Sequence, residues 1–122
     1  MKIKQKEFVD AYKTLENISK DLCIPSNIAL LFFKVKKLCK EQYEFQVEEQ
    51  LKILQSFDAK RTENSGWFIE DANKRIECLK KLNELDCMEV NIDYTPKTIH
   101  LDGSFNLSIQ DIESLSCFFN FE

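Results

Sequence analysis

From Ser26 to Phe57 the chain runs without a proline or a glycine, and no other feature limits its possible folds so tightly. At about 100° per residue, Ile28, Leu31, Phe32, Val35, Leu38, Cys39, Tyr43, Ile53, Leu54 and Phe57 gather on one side of a helix. Lys37, Lys40, Glu41, Glu44 and Glu48 take the other side. Leu30 and Phe33 also fall there, so the stretch IALLFFKV is apolar nearly all round and needs covering from two directions. An unbroken helix over 26–57 would be about 48 Å long, whereas a domain of 122 residues has a radius of gyration of about 14 Å. The helix must kink or project its distal half.

The neighbouring segments predict a single domain over 1–122 of mainly helical α+β class. Phe8, Tyr12, Leu15 and Ile18 predict a helix over 5–20, and Ser26 after Pro25 is the expected N-cap of the long helix over 26–57. DAKRTENSG (58–66) reads as a loop with Trp67 at its exit. Ile69, Ala72, Ile76, Leu79, Leu82 and Leu85 predict a helix over 69–85, paired with the distal long helix as an antiparallel hairpin. The period then falls to two: MEVNIDY, TIHL and SFNL, with a turn signal at Asp102-Gly103, predict a small antiparallel β-meander over 88–107. Ser108 with Asp111 three residues on, and Leu107 with Ile112 at the staple positions, start a short C-terminal helix over 108–118. Its core stripe is Ile109, Ile112, Leu115 and Phe119.

Composition excludes more chemistry than it suggests. With glycine only at 66 and 103, no glycine-rich loop can cradle a phosphate, and no P-loop, G-x-S-x-G, H-E-x-x-H or dinucleotide fingerprint occurs. The one histidine, His100, reads as a solvent-facing residue beside Ile99 and Leu101. Cys23, Cys39, Cys78, Cys87 and Cys117 form no C-x-x-C pair, so reduced thiols in a cytoplasm are expected and neither metal nor cofactor is called for. Glu41, Glu44 and Glu48 share a face, but without a Glu-x-x-His they read as a solvated surface. No apolar run is long enough to span a membrane, and the charged start MKIKQKEFVDAYK lacks the core of a signal peptide. These absences point away from an enzyme.

Charge is unevenly spread. Residues 1–61 hold 12 Lys+Arg against 9 Asp+Glu, a balance of +3, while residues 62–122 hold 5 against 12, a balance of −7. Lys34, Lys36, Lys37 and Lys40 beside two phenylalanines could face nucleic acid. The acidic second half and the presence of only Arg61 and Arg75 argue against it.

The chain resembles a family of short tailed-phage and prophage proteins of Gram-positive bacteria, the domain of unknown function 1617 family. The resemblance is carried by MKIKQKEFVDAYKTLENI, P-S-N-I-A-L-x-x-x-K-V-K-K-L, EQYEFQVEEQLKIL, NSGWFIED, VNID and I-x-D-I-E-S-L-x-x-F. It implies a phage or prophage origin and brings no active-site residues. It also implies a non-enzymatic accessory protein in the host cytoplasm that binds a protein partner, either inhibiting a host defence or regulatory factor or assisting virion (tail) assembly.

The expected contact residues are the large apolar side chains that the stripes leave over: Leu30, Phe33, Trp67, Phe118 and Phe121. Two readings stand for the last pair. The tail folds back and buries them against Leu30 and Phe33, or they remain exposed as an aromatic anchor. Tyr43, Leu54 and Phe57 on the distal long helix suggest a homodimer through residues 40–57 and 69–85.

Overall fold

The computed structural model describes residues 1–21, 23–64, 66–101, 103 and 105–122, with the side chains of 19–21 left out. In chain order the elements are β1 (Lys2–Lys4), α1 (Gln5–Asp21), α2 (Ser26–Ser56), β2 (Lys60–Arg61), β3 (Trp67–Phe68), α3 (Ala72–Asp86), β4 (Glu89–Asn91), β5 (Lys97–Ile99), α4 (Ile109–Leu115) and β6 (Phe119–Phe121). More than half the chain is helical and the strands are short, so the mainly helical α+β class holds.

The long helix forms without a break. Pro25, at φ −53 and ψ 140, takes the cap position expected of Ser26. Its carbonyl accepts from the Ile28 and Ala29 amides at 3.0 and 2.9 Å, and no side chain contributes. Ser26 is already helical, because a proline just before the helix has no N–H to satisfy and its fixed φ suits the entry. At its other end α2 stops at Ser56, and two residues on Asp58 has a φ of 56, a left-handed conformation that aspartate tolerates better than most residues.

The core takes only the first half of this helix. Ile28, Phe32, Val35 and Cys39 join Ile3, Phe8, Leu15 and Ile18 from the N-terminal elements, and Ile99, Phe105, Leu115, Phe118 and Phe119 from the C-terminal ones. Among the described residues, no hydrophobic one between 40 and 86 belongs to that cluster, and Tyr43 reaches only its edge, stacked on Tyr12. The distal half of α2 projects, and α3 lies along it. Gln46 donates to Asp86 at 2.6 Å and Lys74 meets Asp58 at 3.4 Å, which fixes the two helices antiparallel. The molecule is therefore a body with a two-helix arm.

Two expectations about the strands are corrected. MEVNIDY and TIHL do hold strands, SFNL has none among its described residues, and no meander forms over 88–107. β4 pairs antiparallel with β1, Ile3 opposite Val90, and β5 pairs parallel with β6, Ile99 opposite Phe121. Period-two alternation fixes which face is buried and leaves the pairing partner open. Lys2–Lys4 and Phe119–Phe121 supply the partners because each carries a buried ring or branched chain, Ile3 or Phe119, into the core. Gly103 has φ 87, while Asp102 and Ser104, the rest of the hairpin signal, lie outside the described residues. Next, the loop over 58–66 contains a strand: Lys60 and Arg61 pair with Phe68 and Trp67.

Helix boundaries shift as well. α3 begins at Ala72 because Asp71 accepts from the Asn73 and Lys74 amides, leaving Ile69 buried ahead of the helix. α4 starts on the Ser108–Asp111 capping box as expected, yet ends at Leu115 and not at 118, since the next residues turn the chain into β6. Ile109, assigned to the stripe, is 78% exposed on the first turn of that short helix.

Candidate functional site: two uncovered apolar faces

The five expected contact residues separate into two groups. Phe118 is fully buried against the Phe8 and Tyr94 rings, each at 5.8 Å, and its carbonyl accepts from the Tyr94 hydroxyl at 2.6 Å. Phe121 is half-buried beside Phe119, centroids 6.1 Å apart. The tail folds back, but onto the core and β5, and Leu30 and Phe33 do not cover it. Phe118 is thereby corrected from contact candidate to core residue. Leu30, Phe33 and Trp67 stay exposed at 52%, 61% and 38%.

The first face lies on the body. Leu30 and Phe33 are three residues apart and point away from the buried Ile28, Phe32 and Val35 stripe. Phe33 stands between two grooves. One, of about 240 Å³, is lined by Leu15, Ile18, Ile24, Ala29 and Phe32 as well as Phe33 and Lys36. The other, of about 400 Å³, adds Tyr12, Glu16, Lys37 and Lys40. Tyr12 stacks on Tyr43 at 4.5 Å and donates to Glu16 at 3.1 Å, and Lys36 reaches the same carboxylate at 4.0 Å. The surface is an apolar centre with a lysine rim.

The second face lies on the arm. A groove of about 610 Å³ runs between Gln50 and Leu54 of α2, Arg75, Cys78, Leu79 and Leu82 of α3, and Trp67 to Ile69 at the tip. The Arg61 guanidinium sits 5.7 Å from the centre of the Trp67 ring, which holds the indole at the groove's end. Sequence reasoning singled out Trp67 but missed Phe68, Ile76 and Leu79, exposed at 47%, 66% and 66%. No sequence signal separates them: the stripe Ile76, Leu79, Leu82 and Leu85 reads as core, and only the packing of α3, which buries Cys78 and Leu85, leaves Ile76 and Leu79 outside. The two faces do not meet. Phe33 and Leu54 stand 21 positions apart on one helix, about 31 Å.

Body and arm meet at the Tyr12–Tyr43 stack and at two buried glutamines. Gln5 and Gln46 are each 1% exposed; Gln5 donates to Gln42 at 2.9 Å and Gln46 to Asp86. Their Oε1 atoms have no partner among the described residues.

Nucleophiles and ligands are not assembled at either face. Burial pushes the Cys39 thiol up to about 12 and raises those of Cys78 and Cys117, so these thiols stay protonated at neutral pH. His100 is exposed, 3.4 Å from Glu122. Among the described residues no three His, Cys, Asp or Glu side chains cluster as metal ligands would, and no helix is long and apolar enough to cross a membrane. No protein-family model, curated protein or solved structure matches the chain.

Proposed function

We propose that this chain is a non-enzymatic accessory protein that acts by binding another protein, and that the Leu30–Phe33 face of α2 is the contact. One observation carries the reading. The stretch IALLFFKV is apolar nearly all round, and the chain covers it from one side only, leaving Leu30 and Phe33 more than half exposed, with Phe33 between two grooves. Covering an exposed phenylalanine or leucine contributes roughly 1.5–3 kcal/mol, and aromatic side chains in partly formed pockets are the usual anchors of interfaces. Lys37 and Lys40 at the rim are exposed and select a partner whose apolar patch is edged with carboxylates.

The resemblance to tailed-phage and prophage proteins supports an origin in a phage or prophage and action in the cytoplasm of the host, on a host defence or regulatory protein. Assistance to virion assembly is the alternative within the same reading. The test is capture from host lysate on the immobilised protein, with Leu30→Asp/Phe33→Asp alongside. One partner retained by the wild type, lost by the double variant and weakened only gradually by salt up to about 0.3 M, as the lysine rim is screened, is the expected result. Retention of nucleic acid with a steep salt slope, or capture that ignores both substitutions, would overturn it.

A further inference from the structure

We infer that the free edge of β4 takes an extended, lysine-bearing segment of another protein as a third strand. The inference uses neither of the two apolar faces and does not depend on the proposed partner site. The strand register fixes what this edge offers. Gln5 donates to the Met88 carbonyl at 2.9 Å and Ile92 to that of Met1 at 2.8 Å, with Ile3 opposite Val90 between them. Bonded pairs alternate along an antiparallel ladder, so Met88, Val90 and Ile92 turn their amides and carbonyls to β1. Glu89 and Asn91 turn theirs outward, and no hydrogen bond to these four groups forms among the described residues. The opposite edge of the sheet is closed. The Lys4 amide, which faces outward from β1, donates to Glu7 Oε2 at 3.1 Å, and the chain turns into α1 there.

A groove of about 510 Å³ runs along the free edge, between residues 88–91 and Glu41, Gln42 and Phe45 of α2. Ile3 and Val90 point to the core. By alternation Glu89 and Asn91 lie on the outer face of the sheet, and Gln5 and Met88 on the inner one. Gln5 lines the groove and is 1% exposed, and its Nε2 donates to Gln42 at 2.9 Å. Its Oε1 has no partner among the described residues. A buried amide oxygen without a donor is unfavourable, and a side chain entering the groove can supply one.

An added antiparallel strand lies about 4.8 Å from β4. Its residues opposite Asn91 and Glu89 exchange main-chain bonds with them and point to the outer face. The residue between those two, opposite Val90, points into the groove. Phe45, Met88 and Val90 are the apolar walls there, and Gln5 Oε1 and the Glu41 carboxylate are the acceptors. That combination suits lysine, whose stem is apolar and whose ammonium only donates. On the outer face Glu89 has Lys4 opposite it on β1, and a second lysine on the new strand completes a row of alternating sign. Neither Glu41 nor Glu89 makes an ion pair among the described residues. A second copy of β4 fits the edge less well. It would bring another Glu89 to the outer face and set Val90 in the place of the groove lysine.

The probe is a blocked synthetic peptide of about nine residues, with Thr-Lys-Lys at its centre between alternating valines and threonines. In the free protein the Glu89 and Asn91 amides should exchange fast and the Val90 amide slowly, and saturating peptide should slow the first two by at least about tenfold. N-methylation of the central threonine or of the second lysine should weaken binding about tenfold. N-methylation of the first lysine, whose N–H points away from β4, should change it by less than about twofold. Norleucine in place of that lysine should weaken binding about fivefold, and glutamate more. Asn91→Pro removes one outward donor and keeps the bonds to β1, so binding should be lost with the circular-dichroism signal unchanged, whereas Asn91→Ala should bind normally. No binding at about 1 mM peptide would overturn the inference. So would equal losses from all three N-methylations, or equal affinity with lysine, norleucine and glutamate in the groove. A dimer of the chain alone that Asn91→Pro dissociates would overturn it too, since the edge would then belong to a second copy. Leu30→Asp/Phe33→Asp should leave peptide binding unchanged, which separates this result from the fate of the proposed partner site.

Discussion

Among the ten phenylalanines, position in the fold decides what each ring does, and Phe118 and Phe33 mark the extremes. Phe118 has no exposed surface and meets two other rings; Phe33 is 61% exposed on a helix that is complete without it. Phe118→Ala should cost roughly 3–5 kcal/mol, seen as a large fall in melting temperature. Phe33→Ala should move stability by no more than about 0.5 kcal/mol. Equal effects of the two on a denaturant midpoint would contradict the assignment of one to the core and one to a surface. Cys39 gives a second residue-scale expectation. Its thiol is pushed from 9.0 to about 12 by burial, so the unfolded chain loses this proton first as pH rises. The contribution is whole below about pH 9 and declines from there through about pH 12. Tyr94, also raised by burial, acts in the same direction. Unfolding midpoints between about pH 8 and pH 11 should therefore fall, and Cys39→Ala should flatten part of that slope while lowering the curve as a whole.

At the scale of elements, the small helix α4 tests local determinants most cleanly. Its seven residues are too few to hold together alone, and Ser108 and Asp111 satisfy each other's backbone amides. Ser108→Ala should cost about 1 kcal/mol, measured by denaturant titration, with no change in the helices of the arm. Such signals were legible in the sequence because they are local. The long helix was readable from 26 to within a residue of its end, as were α1 and the capping box. What was not legible depends on contacts between distant segments: that Lys2–Lys4 would pair with Glu89–Asn91, and that FNF would become a strand beside Lys97–Ile99. A run of aromatics at the end of a short helix looks helical until β5 offers it backbone partners. The candidate faces were half legible for the same reason. Leu30, Phe33 and Trp67 stood out against a helical wheel or a loop. Ile76 and Leu79 seemed part of an ordinary core stripe, because only the packing angle of α3 on α2 shows that they miss their neighbour.

For the whole molecule, the division into body and arm sets unequal local stability. The body buries almost all the large side chains, whereas α3 buries only Cys78 and Leu85. Amide exchange in α3 and in residues 43–56 should be faster than in α1 and residues 28–39, because opening the arm exposes little apolar surface. Uniform protection along α2 at low concentration would contradict the division.

Both ends of the described chain are held by one short stretch. The Ile92 amide donates to the Met1 carbonyl, and the Leu101 amide to that of Glu122. Nine residues separate these two anchors, at most about 30 Å of chain. A flexible linker of ten or so glycines and serines could join the ends and make the backbone a ring. The natural place to reopen such a ring is the arm's tip, where Thr62, Glu63 and Asn64 are exposed and contribute nothing to the core. A circular permutant starting there would keep every strand pair of the body intact, beginning with β3 and α3 and ending with α2 and β2. The arm is thus the part of the topology that can be rewired without the rest of the molecule having to change.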